Sequence, residues 1–204
     1  KSVYETEVFQ PILENLGDIF SVRYGTDEEA DRSLRIISDH IKAATFILGD
    51  ENGVGPSNVG QGYILRRLIR RAVRHGRKLL GREGMFLRQP AETVINMYRH
   101  AHPELGQNAD KVIDELVGEE KRFLDTLQKG EHEFEKMLPK LLEEPSEVIP
   151  GQVAFRLYDT YGFPIEITEE LAAEHQLAVD REGFDTAFRE HQERSKMDAN
   201  QTFK

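Results

Sequence analysis

Residues 55–78 read GPSNVGQGYILRRLIRRAVRHGRK, a glycine-rich turn that opens into a helix with its cations on one side. At 100° per residue from Arg66, the residues Arg77, Arg70, Arg74, Arg67, Lys78 and Arg71 fall within about 140° of arc. Leu68, Leu79, Ala72, Leu65, Ile69 and Leu80 fill the other side, from about 200° to about 320°. The spacing predicts a helix that buries Leu65, Leu68 and Ala72 and leaves Arg66, Arg67, Arg70, Arg71 and Arg74 exposed on one surface. Like charges gathered this closely repel unless a polyanion or nearby acids neutralise them.

The chain around this helix is acidic. Its 204 residues carry a net charge of −10, but residues 1–88 hold 14 Lys and Arg against 12 Asp and Glu, and residues 89–204 hold 13 against 25. From Asn52 to Arg82 there are eight cations and no acid. Local potential governs polyanion binding, so the overall charge does not exclude nucleic acid. There is no cysteine, which excludes disulfides and cysteine zinc sites here and fits an intracellular, bacterial-type, cytoplasmic protein. No run of 18 apolar residues is present, so no membrane partner is expected. The chain opens with Lys1 rather than Met and reads as a piece of a longer protein.

Outward from the basic helix the pattern is helical. Residues 1–16 read as a short amphipathic helix and 17–29 as a linker. Leu34, Ile37, Ile41, Ala44, Thr45 and Leu48 recur at helical spacing from about Asp31, with Asp31 or Ser33 as cap. A turn at Asp50–Gly55 leads into the basic helix, which is expected to stop near Gly81 or Gly84. A helix is expected from Pro90 to His100, a loop over His102–Asn108, and a long helix from Ala109 to Leu142. Ile113, Leu116, Phe123, Leu127, Phe134, Met137 and Leu141 form its stripe. Glu120 and Gly130 break that stripe, and Pro139 is expected to kink or end it. Val153–Tyr158 alternates weakly, as a strand or extended segment does, and DTYGFP (159–164) reads as a turn. Two helices, 164–176 and 180–195, complete a mostly α-helical fold with at most short strands.

The motifs leave several chemistries open. The glycine-rich turn lacks the Gly-Lys-Ser/Thr ending of a nucleotide P-loop. It reads either as a phosphate-binding turn or as a helix cap built on Ser57 or Asn58. The arginine face reads either as a polyanion site or as a surface paired with acids such as Glu119, Glu120 or Glu131. The pair Glu119-Glu120 reads on its own as a solvated face. The seven histidines form no metal-ligand spacing, and no catalytic residue or metal site is expected in this stretch.

Two long motifs, PSN-x-G-x-GY-x-LRR-x-IRRAVRHG and AFRLYDTYGFP, resemble the alanyl-tRNA synthetases of the bacterial type. DRSLRIISDHIKAATFIL, EEKRFLDTLQKG and LAVDREGFDTAFREHQERSK are similar to further segments of that family, so the resemblance covers nearly the whole chain. Gln61 departs from it, standing where the family often has a basic residue. The resemblance implies that residues 1–30 are the tail of the aminoacylation domain and a linker. It implies that 31–204 form a helical domain that recognises the tRNA(Ala) acceptor stem at a G·U wobble pair. On that match Asn58 and Asp159 are the base readers, and Arg66, Arg67, Arg70, Arg71, Arg74, Arg77 and Lys78 hold the RNA backbone. The parent enzyme is expected to join alanine to its tRNA with ATP and Mg²⁺ and to carry Zn²⁺ in an editing domain. Those cofactors belong to adjoining catalytic and editing domains, and this fragment alone is expected to be inactive. The other readings of the residues are a generic RNA-binding helical module and a protein-interaction or linker domain.

Overall fold

The computed structural model describes residues 2–80, 84–143 and 146–202. Helices dominate them. They are α1 (Gln10–Phe20), α2 (Glu28–Gly49), α3 (Gly60–Leu80), α4 (Arg88–Tyr98), α5 (Pro103–Gln107), α6 (Ala109–Glu143), α7 (Gly151–Tyr161), α8 (Ile165–Glu174) and α9 (Arg181–Thr202). The described strands, β1 (Val148–Ile149) and β2 (Ala178–Val179), have two residues each. The mostly helical class expected from the apolar spacing holds. The stop expected at Gly81 lies outside the described residues. α5 occupies the stretch expected to be a loop.

The chain divides into two compact units at Leu124 and Asp125, within α6. In the first unit α2 and α3 form the most extensive helix pair. Leu34, Ile37, Ile41, Ala44 and Leu48 of α2 are fully buried, as are Leu65 and Ala72 of α3. α1 packs on α2 and α4 with Ile12, Leu13, Leu16 and Phe20 buried. α2 begins earlier than the apolar spacing suggests, because Asp27 caps it. The Asp27 carboxylate accepts the Ala30 N–H at 2.7 Å, and Glu28, Glu29 and Asp31 follow in the positive first turn. Asp31, the expected cap, accepts the Gly25 N–H instead. Ser33 is buried, with its hydroxyl 3.1 Å from His75 Nδ1.

Both residues that break the α6 stripe have packing reasons. Glu120 is fully buried and accepts the N–H groups of Phe86 and Leu87 at 2.8 and 3.2 Å. It thereby caps α4 from another helix, satisfying donors that α4 cannot satisfy itself. Burial pushes its carboxyl up to about 7, against those two hydrogen bonds, which favour the charged form. Gly130 is a slot in the second unit. A Cβ there would lie 2.5 Å from the ring of Phe163, which is fully buried. Pro139 does not end α6, which runs on to Glu143.

In the second unit β1 and β2 pair in parallel, Val148 with Ala178 and Ile149 with Val179. α7 and α9 each begin two residues after their strand. Gly151 meets the backbone of Gly183 and Phe184, Tyr158 meets Phe188, and Asp159 meets His191, so the two helices run parallel. α7 corrects the extended reading of Val153–Tyr158 and the turn reading of Asp159. Ala154 and Leu157 are buried three apart, while Phe155 and Tyr158 pack on Phe184 and Phe188 of α9. That packing outweighs the strand preference of Val, Phe and Tyr. The chain turns only at Gly162, whose φ of 66° suits a residue without a Cβ.

Two outcomes follow from this packing. A Cβ at Gly76 would lie 2.1 Å from the Phe86 ring, which itself packs on Phe20. Gly76→Ala should therefore lower the melting temperature, since overpacking costs about 1–3 kcal/mol against a helix-propensity gain of about 1 kcal/mol. An unchanged or higher melting temperature would reject that packing. Glu120 keeps its proton in the folded state up to about pH 7, whereas the unfolded chain loses it near 4.5. Its contribution to stability should fall as pH rises through that window, by on the order of 3 kcal/mol. Denaturant titrations at several pH values should show this fall in the wild type relative to Glu120→Gln, and parallel curves would contradict it.

Candidate nucleic-acid interface

The PSN turn is folded back on the first turn of α3. The Ser57 N–H donates to the Gly62 carbonyl at 3.0 Å, and the Ser57 hydroxyl donates to the Val59 carbonyl at 3.0 Å. Gly62 permits this, since a Cβ there would lie 2.4 Å from Ser57 Oγ and 2.5 Å from the Gly55 carbonyl. Gly60 opens the helix at φ 57°. The fold-back leaves Asn58 and Val59 exposed at the tip. Asn58 does not act as the simple cap the sequence allowed: its Oδ1 accepts a hydrogen bond from Arg66 Nη1, one turn further into α3.

Arg66 is itself held. Its Nε donates to Glu119 Oε1 at 3.0 Å. Arg70 Nε donates to the same oxygen at 2.6 Å, and Arg122 Nε donates to Glu119 Oε2 at 3.0 Å. The Glu119 side chain is 3 % exposed. Burial would raise its carboxyl, but the Arg70 charge and hydrogen bond, the Arg66 charge and the Arg122 hydrogen bond outweigh it and hold it below the ordinary glutamate value. The Arg70 guanidinium also lies over the Phe123 ring, 4.9 Å from its centroid.

The expected exposure of the arginine face needs correcting. Arg70 and Arg74 are buried, at 3 % and 2 % relative exposure. A helical wheel shows which residues share a side but not where a second helix docks. Here Glu119 and Phe123 of α6 meet Arg70 on the near edge of the basic arc. The accessible strip is narrower: Arg66, Arg67, Arg71 and Arg77 are partly exposed and Lys78 is exposed. Leu65 and Ala72 are buried as expected, but Leu68 is only partly so, and Ile64 is 48 % exposed beside the strip. On the inner side, burial and the Arg71 charge hold the His40 imidazole well below its ordinary value, although Asp39 favours the charged form.

Asp159 sits in the last turn of α7, in the second unit, whereas Asn58 belongs to the first. Its carboxylate is half exposed and lies 3.5 Å from His191 Nε2 on α9. Of the two acids' readings, the one that makes Glu119 a partner of the arginine face holds, and the one that makes the Glu119-Glu120 pair a solvated face does not. Glu119 stands three after Leu116 and four before Phe123, on the buried stripe. His191 escaped the sequence reading and carries no such signal. Among the described residues no three His, Cys, Asp or Glu side chains group as metal ligands, and no helix is long and apolar enough to cross a membrane.

Residues 1–204 match the family model described as tRNA synthetases class II (A). The chain belongs to that family. Over its whole length this class II (A) synthetase chain is 57 % identical to the alanine–tRNA ligase of Treponema pallidum (strain Nichols), covering 34 % of that protein. It is 56 % identical over 203 residues to that of Treponema denticola, again covering 34 %. Over 196 residues it is 42 % identical to the ligase of Caldicellulosiruptor saccharolyticus, covering 96 % of this chain and 22 % of the relative. The chain thus spans about a third of the length of the treponemal relatives, and the similarity carried by its motifs extends along the whole of this chain.

The Glu119 cluster of this synthetase chain makes a direct prediction. Arg70→Ala would leave a buried carboxylate short of its main partner and should cost about 3–5 kcal/mol. Arg122→Ala removes an arm whose side chain is 58 % exposed and should cost under about 1 kcal/mol. Denaturant unfolding of the two variants measures the difference, and equal losses would contradict the buried-pair description.

Proposed function

We propose that this chain is the part of an alanine–tRNA ligase that grips the acceptor stem of its tRNA and reads a G·U wobble pair, with Asn58 and Asp159 as the readers. The observation that carries the reading is the held, exposed Asn58 at the head of a basic helix. An A-form stem offers a wide, shallow minor groove, where the guanine 2-amino group is the distinguishing donor. In a wobble pair that amino group lacks the cytosine O2 partner of a G·C pair. A carboxylate only accepts, which suits Asp159 to it, while an amide such as Asn58 offers donors to an acceptor like uracil O2. Arg67, Arg71, Arg77 and Lys78 attract the phosphates and carry no sequence information.

On this reading residues 1–30 end the aminoacylation domain and 31–204 serve recognition. Alanine activation with ATP and Mg²⁺, zinc-dependent editing and a cytoplasmic setting belong to the whole enzyme. The reaction itself is assigned to no residue here. A generic RNA-binding module shares the basic strip but has no use for a fixed Asn58.

Asp159→Asn keeps the shape while offering a donor to another donor. It should reduce the preference for a G·U stem-loop over its G·C counterpart by about 1–3 kcal/mol, with little change in general affinity or melting temperature. A retained preference would remove Asp159 from the reading role. Replacing Arg67 and Arg71 by Ala should instead weaken binding to both stems alike and flatten its salt dependence. Titrations of both RNAs at two salt concentrations separate the two effects.

A further inference from the structure

We infer that Arg66 and Glu119 form a positioning clamp that fixes which face of the Asn58 amide meets the RNA; the inference rests on the reading of Asn58 as a base-contacting residue. Three observations carry it. Arg66 uses two N–H groups of one rigid guanidinium, Nε on Glu119 and Nη1 on Asn58. Glu119 is buried and shared with Arg70, so it is a fixed anchor rather than a mobile surface acid. Asn58 is exposed at the tip of a turn, and its amide oxygen is met there by Arg66 Nη1.

The chemistry follows from the donor inventory. A guanidinium has five donors and no acceptor, so the amide atom facing Arg66 must be Oδ1. Asn58 Nδ2, with two donors, is then turned outward. An unheld Asn presents either its donor or its acceptor end by rotating about its last side-chain bond. Such a residue tolerates both an acceptor and a donor on the RNA, and it discriminates poorly. Held by Arg66, it accommodates only an acceptor. A planar guanidinium locked at Nε against a buried carboxylate holds its Nη1 in a set direction, which a lysine cannot do with one ammonium point. Arg66 and Glu119 are therefore positioning residues that touch the reader and not the base. This departs from the expectation that Arg66 serves as a backbone-phosphate contact.

The experiment measures binding of two stem-loop RNAs, identical except for a G·U or G·C pair, to the intact protein. The variants are Asn58→Ala, Arg66→Lys, Glu119→Gln, and Arg66→Lys combined with Glu119→Gln. Gly76→Ala serves as a destabilised control remote from the clamp, and melting temperatures are taken for all. Arg66→Lys keeps the charge and a partly exposed side chain, so it tests the clamp even if Glu119→Gln fails to fold. The expected result is a drop of about tenfold in the G·U to G·C affinity ratio for Asn58→Ala and for Arg66→Lys. Glu119→Gln should drop similarly, the double variant should go no lower than Arg66→Lys alone, and Gly76→Ala should keep the wild-type ratio. If Asn58→Ala loses the ratio while Arg66→Lys keeps it, the clamp is overturned and the reading of Asn58 stands. Equal weakening on both RNAs by Arg66→Lys would make Arg66 a phosphate contact and overturn the clamp as well. A ratio unchanged in Asn58→Ala removes the reader and the clamp together.

Discussion

A carboxyl group taken out of water must keep its proton or be met by charge, and in the first unit Glu119 is met from three sides. Arg66 and Arg70 reach it from α3, and Arg122 from its own helix. The desolvation of Glu119 and Arg70 is tolerable only as a pair. Their pairing decides how far the core extends around α3 and how much of the basic helix faces solvent. It also converts Arg66 from a surface cation into a strut beneath the PSN turn. A single buried acid thus sets both the stability of the α3–α6 contact and the geometry of the exposed tip.

Glycine plays the opposite part, by leaving room. At Gly62 the turn closes on the helix, at Gly76 the Phe86 ring enters, and at Gly130 the Phe163 ring does the same. Each lies inside a helix, where glycine is otherwise a liability of about 1 kcal/mol. The recurrence of such positions in α3 and α6 indicates helices shaped for close approach by loops and rings rather than for intrinsic stability.

Much of this was legible in the sequence. The apolar stripes of α2 and α6 and the amphipathic character of α3 were readable because helical spacing is a local signal. The motifs named the family because they are long. What was not readable depends on partners distant in sequence. Arg70 and Arg74 share a wheel arc with Arg67 and Arg71, and only the docking of α6 shows why Arg70 lies on the buried side. Glu119 was legible as one of several acids able to pair with the arginine face, but its burial was not, although its spacing from Leu116 and Phe123 placed it on the buried stripe. α7 was misread because Val153, Phe155 and Leu157 alternate like a strand, and the aromatic surface of α9 on which Phe155 and Tyr158 pack lies about thirty residues further along the chain. Asp27 was passed over as a cap because the apolar pattern begins later than the helix does.

The parallel pairing of β1 with β2 is only two residues long, too short to matter as a sheet. It acts instead as a common origin for two helices. α7 and α9 leave it together, each after two residues, and climb side by side at 1.5 Å per residue. Asp159 lies eight residues above the start of α7 and His191 ten above the start of α9, so their meeting is set at the base of the pair. A slip of one residue in that ladder would carry the start of α9 about 3.3 Å along the strand and turn the strand's side chains to the opposite face, so two pairs of backbone groups fix the neighbour of an exposed carboxylate more than about 10 Å along the helix.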